Sequence, residues 1–291
     1  MFEGFVRKRI KASNASINLV HGGKGPPVLL LHGYPETHVM WHKVAPSLAR
    51  DYTVVCADLR GYGDSSKPKG LPDHSNYSKR AMAQDMAEVM TKLGHRRFHL
   101  VGHDRGGRVA HRLARDHEAR VRTLSVLDIS PTLKVFQSTN QALATAFYHW
   151  FFLIQKAPLP ERMIGSMRRE YLLRRIGRGE IGLRVFPPKV IREYVRCFDA
   201  RGVHATCEDY RAAASIDLIH DKKQLKQKLA LPMLALWAKH SPVGQQFDCL
   251  ADWREVAKDV RGRAFDCGHF LPEEKPAEVL RELRRFLARH G

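Results

Sequence analysis

Residues 102–108, Gly-His-Asp-Arg-Gly-Gly-Arg, constrain the fold of this chain more than any other segment. They follow the apolar run 98–101 and precede a helical pattern, which is the strand-to-helix setting of a nucleophile elbow. The usual elbow reads Gly-x-Ser-x-Gly, and here Asp104 stands where the serine would be. We therefore expect an α/β fold in which Asp104 lies at the carboxyl end of a buried strand.

The aspartate changes the reaction that such an elbow can support. A serine that attacked a saturated carbon would leave an ether that water could not remove. A carboxylate is ionised near neutral pH and leaves an ester, which water can hydrolyse at the enzyme's own carbonyl. Asp104 therefore favours hydrolysis at a saturated carbon, such as a carbon–halogen bond or an epoxide. The structural alternative is an ordinary turn with an aspartate near a helix N-terminus, where the helix dipole favours anions.

Short apolar runs alternate with helical patterns along most of the chain. A helix is predicted over residues 79–93. This alternation predicts a mostly parallel central sheet with helices on both faces. The β-rich runs cover residues 28–31, 52–57, 98–101, 123–127, 231–237 and, more weakly, 263–265.

The pattern changes between about Lys134 and His220, where strand-like runs vanish and arginine, aromatic and helical-period residues dominate. We interpret this segment as a helical cap inserted over the carboxyl edge of the sheet, where it closes a pocket. The sequence thus predicts a core domain formed by residues 1–133 and 221–291 and a cap domain formed by residues 134–220.

Four features in chain order resemble the α/β-hydrolase fold: residues 32–35, the Asp104 elbow, Asp128 and residues 268–269. The resemblance covers nearly the whole chain. Within that fold, haloacetate dehalogenases are the most similar subgroup, and among them fluoroacetate dehalogenases. The motifs that carry this narrower resemblance are residues 102–108, 126–129, 148–150, 207–211 and 268–274.

His269 is the candidate general base, because it sits in a turn after a late strand and would face Asp104. Such a base needs a third group that orients it and stabilises its imidazolium form. Asp128 directly follows the strand that ends at Leu127 and can supply that carboxylate. The other possible position follows the run 231–237, where no carboxylate occurs before Asp248. Asp104, His269 and Asp128 are therefore the predicted catalytic residues.

Arg105 and Arg108 lie three residues apart on one face of the predicted elbow helix. Two guanidinium groups beside a carboxylate nucleophile are costly unless an anion fills the space between them. The planar guanidinium suits a carboxylate, and the resemblance implies that both arginines clamp the carboxylate of the substrate. The alternative is a surface pair neutralised by acidic residues.

The resemblance implies a halide pocket formed by His149, Trp150 and Tyr210, whose N–H and O–H groups would stabilise the departing ion. Core packing is the alternative explanation for these three rings. The backbone N–H groups of Tyr34 and Arg105 are expected to form an oxyanion hole. Dehalogenases of this type often carry a cap tryptophan that narrows the pocket, but residues 176–179 here contain none.

Composition narrows the partners and the compartment. The formal net charge is +19, yet the basic residues are spread along the chain and accompany no nucleic-acid-binding motif. We expect a solvated basic surface that raises the encounter rate of a small anionic substrate and binds no nucleic acid. Five cysteines without a C-x-x-C pair favour reduced thiols in a cytoplasmic protein. No membrane segment, metal or cofactor is expected, and the resemblance implies a homodimer.

The leading functional prediction is hydrolysis of short 2-haloacids to 2-hydroxyacids and halide through an ester on Asp104. An epoxide hydrolase is the alternative with the same nucleophile, but it would need cap tyrosines to protonate the epoxide oxygen and would leave Arg105 and Arg108 without a task. A non-catalytic binding protein on this fold is a third possibility. The presence of Asp104, Asp128 and His269 argues against it.

Overall fold

The computed structural model describes residues 1–178 and 182–290. Within these ranges the chain forms one eight-stranded sheet in the order β1-β2-β4-β3-β5-β6-β7-β8. The α/β class and the mostly parallel sheet predicted from the sequence are confirmed. The strands are β1 (Val6–Lys11), β2 (Ser16–Gly22), β3 (Pro27–Leu31), β4 (Thr53–Ala57), β5 (Phe98–His103), β6 (Val121–Leu127), β7 (Met233–Ala238) and β8 (Val260–Phe265).

Strands β3 to β8 run parallel to one another, whereas β1 and β2 pair antiparallel at one edge. The four residues 28–31 of β3 are fully buried, as expected for a strand covered by helices on both faces. Because parallel strands end at the same edge, the loops that follow β3, β5, β6, β7 and β8 meet there. This edge therefore collects the predicted functional residues.

Helices cover the sheet and fill the long connection between β6 and β7. Four short 3-10 helices, at His38–Lys43, Ser75–Tyr77, Glu118–Arg120 and Gly182–Val185, complete the described elements. The α-helices are α1 (Ala45–Leu48), α2 (Lys79–Lys92), α3 (Asp104–Asp116), α4 (Thr132–Gln137), α5 (Gln141–Ala146), α6 (Tyr148–Leu153), α7 (Leu159–Ser166), α8 (Arg168–Ile176), α9 (Pro188–Cys197), α10 (Ala200–Ala213), α11 (Ile216–Lys223), α12 (Pro242–Gln246), α13 (Cys249–Val256), α14 (Leu271–Glu274) and α15 (Pro276–Ala288).

The connection between β6 and β7 contains α4 to α11 and no strand among its described residues. The predicted cap boundaries, near residues 134 and 220, fall inside α4 and α11, so both helices run across them. The segment 176–179 ends with Gly179, which lies outside the described residues. No helix in the described part of the chain is long and apolar enough to cross a membrane.

The sequence analysis missed the β1–β2 hairpin and shortened β8. β1 reads Val-Arg-Lys-Arg-Ile-Lys and is largely exposed, so its charged residues hide the strand signal. Such charges are typical of edge strands, where they discourage pairing with another chain. β8 lies at the opposite edge, and Arg261 and Arg263 point away from the core. In both strands one face is in solvent, which weakens the apolar pattern.

Candidate active site

The elbow holds Asp104 in a strained backbone conformation between β5 and α3, with φ of 46°. A side chain at Gly106 would place its Cβ 2.3 Å from the carbonyl oxygen of His32. A Cβ at Gly102 would lie 2.4 Å from the carbonyl oxygen of Gly106. The two glycines of the motif are therefore required by the close approach of backbone segments. The tight turn lifts the carboxylate of Asp104 to the carboxyl edge of the sheet.

The Asp104 carboxylate has one oxygen held and one oxygen directed at His269. The backbone N–H of Tyr34 donates to Oδ1 at 2.8 Å. Oδ2 lies 3.9 Å from Nε2 of His269. Burial alone would raise the pKa of Asp104, but its electrostatic interactions with His269, when that ring is protonated, and with the cations His103 and Arg105 outweigh burial and lower the pKa to about 2. The carboxylate is therefore ionised and ready to attack at any physiological pH.

Asp128 and His269 form the second half of the arrangement. Nδ1 of His269 lies 2.6 Å from Oδ2 of Asp128. The other carboxylate oxygen accepts hydrogen bonds from the N–H of Ala238 at 2.9 Å and from Oγ of Ser241 at 2.8 Å. Ser241 follows β7, which is the position where the sequence offers no carboxylate. That loop thus contributes a hydroxyl that holds Asp128 in place.

The surroundings keep His269 neutral. Burial and the charge of Arg178 hold the pKa of His269 well below its usual value of 6.5. Burial also raises the pKa of Asp128 to about 6, in spite of its hydrogen bonds from Ala238 and Ser241. Since Nδ1 is the nitrogen that donates to Asp128, the lone pair of Nε2 is free and faces Asp104. This is the state that a general base requires.

A second histidine supports the site from behind, and the sequence analysis gave it no role. His103 precedes the nucleophile, and its Nε2 lies 2.8 Å from the backbone oxygen of His269. Its Nδ1 lies 3.1 Å from a carboxylate oxygen of Glu36. Burial opposes its charge, but Glu36 and Asp104 raise the pKa of His103 to about 9. His103 is therefore protonated and donates to both neighbours, which fixes the loop that carries His269.

The structure separates the two arginines of the predicted clamp. Nε of Arg105 donates to Asp209 at 2.8 Å, and Nη2 donates to the other carboxylate oxygen at 2.7 Å and to the Asp209 carbonyl at 2.9 Å. Both groups are fully buried. Of the three guanidinium nitrogens of Arg105, Nη1 alone has no hydrogen-bond partner in the described chain. The two parallel hydrogen bonds that the guanidinium of Arg105 could offer to a substrate carboxylate are thus already made to Asp209 of the protein itself.

Arg108 is arranged differently. Its Nη1 donates to the carbonyl of Ser130 at 3.0 Å and to Oγ1 of Thr132 at 2.9 Å. Its Nε has no partner, and no carboxylate of the described residues lies within 4 Å of the guanidinium. Burial and the charge of Arg105 lower the pKa of Arg108 to about 10, so it stays charged at neutral pH. A buried cation without a counterion is costly, and an anionic substrate would supply that counterion.

His149, Trp150 and Tyr210 form a cluster of rings next to the nucleophile. The ring of Tyr210 lies edge-on to His149 at 5.8 Å and to Trp150 at 5.9 Å. Tyr34, whose amide binds Asp104, has its ring 5.5 Å from that of Tyr210. The rings are buried, yet Nδ1 of His149 and the hydroxyl of Tyr210 have no hydrogen-bond partner in the described chain. Unpaired buried polar atoms are costly, which indicates a ligand that completes them.

Arg175 in the last turn of α8 and Arg178 just after this helix also reach the site, and the sequence analysis assigned them no role. Cζ of Arg175 lies 5.8 Å from the ring centroid of Tyr148, next to His149 in the chain. Cζ of Arg178 lies 5.8 Å from the ring of Phe270, which follows His269. Their spacing of three residues was a possible signal, but it does not show which side of a helix faces the nucleophile.

One group elsewhere in the described chain has the donor types of a metal site, namely Glu161, His204 and Glu208. Nη1 of Arg211 lies 2.7 Å from a carboxylate oxygen of each glutamate. Nε2 of His204 accepts a hydrogen bond from the N–H of Gly70 at 3.2 Å. Arg211 thus binds both carboxylates, and Nδ1 of His74 lies 2.7 Å from Glu208, so this group fits a salt-bridge cluster better than a metal centre.

Known proteins with similar sequences share this fold. The sequence profile of the alpha/beta hydrolase fold matches residues 26–276. A fluoroacetate dehalogenase from a Burkholderia species is 44% identical over 290 residues, which cover 99% of this chain and 95% of the relative. A soluble epoxide hydrolase from a Corynebacterium species is 34% identical, with 94% and 93% covered. A solved structure from Nostoc sp. PCC 7120, described as an alpha/beta hydrolase, is 55% identical, covers 99% of each chain and superposes with a TM-score of 0.96.

Proposed function

Because the chain belongs to the α/β-hydrolase family, we propose that it hydrolyses short 2-haloacids of the haloacetate or fluoroacetate type to 2-hydroxyacids and halide. One observation carries the proposal. An ionised aspartate occupies the elbow, within 3.9 Å of a histidine paired with a carboxylate, and Arg108 lies beside it as a buried cation without a counterion. This arrangement suits a substrate that is both an anion and an electrophile at a saturated carbon.

In the first step Asp104 displaces the halogen. Oδ1 is held by the Tyr34 amide, so Oδ2 is the attacking oxygen. A bond forms between Oδ2 and the carbon that carries the halogen, while the carbon–halogen bond breaks and its electron pair leaves with the halide. Arg108 holds the substrate carboxylate, with Nη1 of Arg105 as a second donor. The carbon is inverted, and the product is an ester on Asp104.

In the second step water hydrolyses that ester. Nε2 of His269 takes a proton from water as the water oxygen bonds to Cγ of Asp104. The backbone N–H of Tyr34, already 2.8 Å from Oδ1, stabilises the oxyanion together with the N–H of Arg105. Breakage of the bond between Cγ and the ester oxygen releases the hydroxyacid, which takes the proton from His269. The second proton of the water leaves to solvent, and Asp104 is again a carboxylate.

The test is to trap the ester. A His269→Asn enzyme treated with chloroacetate should gain the mass of one carboxymethyl group, because the first step needs no base and the second step does. Peptide mapping should place the group on Asp104. The matched control is the Asp104→Ala/His269→Asn double variant, which should gain no mass. A folded His269→Asn enzyme that binds chloroacetate without gaining the adduct would contradict the two-step reaction.

Epoxide hydrolysis is the second candidate, favoured by one observation besides the Corynebacterium relative. The hydroxyl of Tyr210 is buried without a hydrogen-bond partner in the described chain, and a cap tyrosine could protonate an epoxide oxygen. Halide release from fluoroacetate, chloroacetate and 2-chloropropionate should be measured beside turnover of a neutral epoxide. An Arg108→Gln enzyme that keeps its epoxide turnover and loses none of its haloacid turnover would favour the epoxide function.

A further inference from the structure

Arg175 is a buried cation that the reaction outlined above does not use. It is 7% exposed, although it lies in the last turn of α8, where arginines usually face solvent. Its neighbour Arg174 behaves in the usual way, with an 81% exposed side chain and Glu170 at 3.5 Å. Nε of Arg175 has no hydrogen-bond partner in the described chain. Solvent exposure and the ion pair with Glu170 therefore explain Arg174 and leave Arg175 unexplained.

The position of Arg175 is next to the predicted halide pocket. Its guanidinium lies 5.8 Å from the ring of Tyr148, and that ring is 5.9 Å from His149. Burial and then the charge of Arg175 hold the pKa of His149 well below 6.5. The same charge opposes the rise that burial causes in the pKa of Tyr210. The guanidinium is thus close enough to act on both side chains at the end of the site where a halide would leave.

Charge at the site shows which anion is missing. Arg108, Arg175 and Arg178 have no carboxylate within 4 Å in the described part of the chain, and all three lie close enough to act by charge on groups of the site. The carboxylates of the site that face them are Asp104 and Asp128. Asp221 also acts by charge on Arg108, but it is paired with Arg112 at 3.7 Å. The free site therefore carries one excess positive charge, which the carboxylate of a 2-haloacid balances.

This balance is kept through the displacement only if the halide stays near the arginines. When Asp104 becomes a neutral ester, the remaining anions are Asp128, the substrate carboxylate and the halide, which again match the three cations. A substrate with a second carboxylate would exceed the available positive charge. Arg105 and His103 do not enter the count, because Asp209 already pairs with Arg105 and Glu36 already pairs with His103.

We propose that Arg175 binds the departing halide, as a fourth member of the subsite with His149, Trp150 and Tyr210. The inference rests on the proposed function for the identity of the anion. A guanidinium adds a full positive charge to donors that are otherwise neutral, and charge-assisted hydrogen bonds are about twice as strong as neutral ones. Its contribution is greatest for fluoride, which concentrates its charge most and leaves most reluctantly.

Halide binding can be measured without turnover in an Asp104→Asn background. Sodium bromide or sodium chloride is titrated at constant ionic strength with gluconate, and the change in tryptophan fluorescence, to which Trp150 in the pocket contributes, reports binding. Arg175→Gln should raise the dissociation constant by about tenfold or more, as loss of a charged hydrogen bond implies. Arg175→Lys should keep part of the affinity. Arg174→Gln, on the same turn, is the matched control and should change it by less than about twofold.

Kinetics give a second readout. In the enzyme with Asp104 intact, Arg175→Gln should lower kcat/KM for fluoroacetate by a larger factor than for bromoacetate. Arg175→Met keeps the apolar stem over Tyr148 and replaces Arg175→Gln if that variant unfolds. Unchanged halide affinity in a folded Arg175→Gln or Arg175→Met enzyme would overturn the proposal. So would a selective loss of succinate binding relative to acetate, because it would assign Arg175 to a second carboxylate.

The two proposals fail in different ways. If chloroacetate alkylates Asp104 but Arg175 has no effect on halide affinity, the dehalogenase function stands and the halide role of Arg175 is refuted. If no haloacid releases halide but bromide affinity depends on Arg175, the anion subsite stands and the substrate assignment is wrong.

Discussion

Replacement of Arg108 by glutamine should greatly lower the activity of the enzyme and leave its stability almost unchanged. In the proposed complex Arg108 makes up to two charged hydrogen bonds to the substrate carboxylate, and each is worth about 1.5–3 kcal/mol. Their loss should lower kcat/KM for chloroacetate by roughly 10²- to 10⁴-fold. The stability of the substrate-free enzyme should change little, because burial and the charge of Arg105 lower the pKa of Arg108 and so disfavour its charged form in the folded state. We expect its free energy of unfolding to change by no more than about 1 kcal/mol.

Arg105→Gln is the matched comparison on the same helix. It leaves the fully buried Asp209 without the guanidinium that binds it through two side-chain hydrogen bonds of 2.7 and 2.8 Å. Breaking a buried ion pair from one side costs about 3–5 kcal/mol, so this variant should be strongly destabilised. Urea unfolding and steady-state halide release measure the two effects. Unchanged kcat/KM in Arg108→Gln, or a loss of stability as large as that of Arg105→Gln, would refute the reasoning.

Three smaller predictions concern other groups of the site. Tyr210→Phe should lower turnover of fluoroacetate by about 10²-fold and of chloroacetate by less, and equal losses would remove Tyr210 from the halide pocket. Arg178→Gln should raise the pKa of His269, because the charge of Arg178 lowers it. Since the neutral imidazole is the base, the fall of kcat towards acid pH should then shift to higher pH, and a pH profile of kcat that does not move would contradict this. Ser241→Ala removes the 2.8 Å hydrogen bond to Asp128 and should cost about 1 kcal/mol of stability by urea unfolding, whereas an unchanged value would show that the bond is replaced.

Local sequence patterns predicted the elbow and most of the parallel strands. The glycines around Asp104 are needed because backbone segments come too close there to leave room for a side chain. These glycines are near neighbours of Asp104 in the sequence, so a short motif reveals them. Asp209 is different, because it lies 104 residues from the arginine that it binds. Its motif was visible in the sequence, but no spacing rule connects positions so far apart. The burial of Arg175 likewise depends on how α8 packs.

The β1–β2 hairpin shows another limit of the sequence. Strand β1 can be recognised only from its pairing with residues 16–21 in the structure. Most of the side chains of Val6–Lys11 are exposed, so the sequence of β1 has no apolar pattern that would predict a strand. An alternating pattern needs one buried face, and an edge strand in solvent has little of one.

The ion pair of Asp209 has a consequence for engineering. Asp209 lies on α10, and it accepts hydrogen bonds from Arg105 and Tyr62 and from Lys79 at the start of α2. A helical insert that lacks an aspartate at this position would leave Arg105 charged and buried beside the nucleophile without a counterion. Chimaeras should therefore exchange α10 and the elbow helix together, or keep the aspartate. Substrate scope can then be varied through the other helices of the insert without disturbing Asp104.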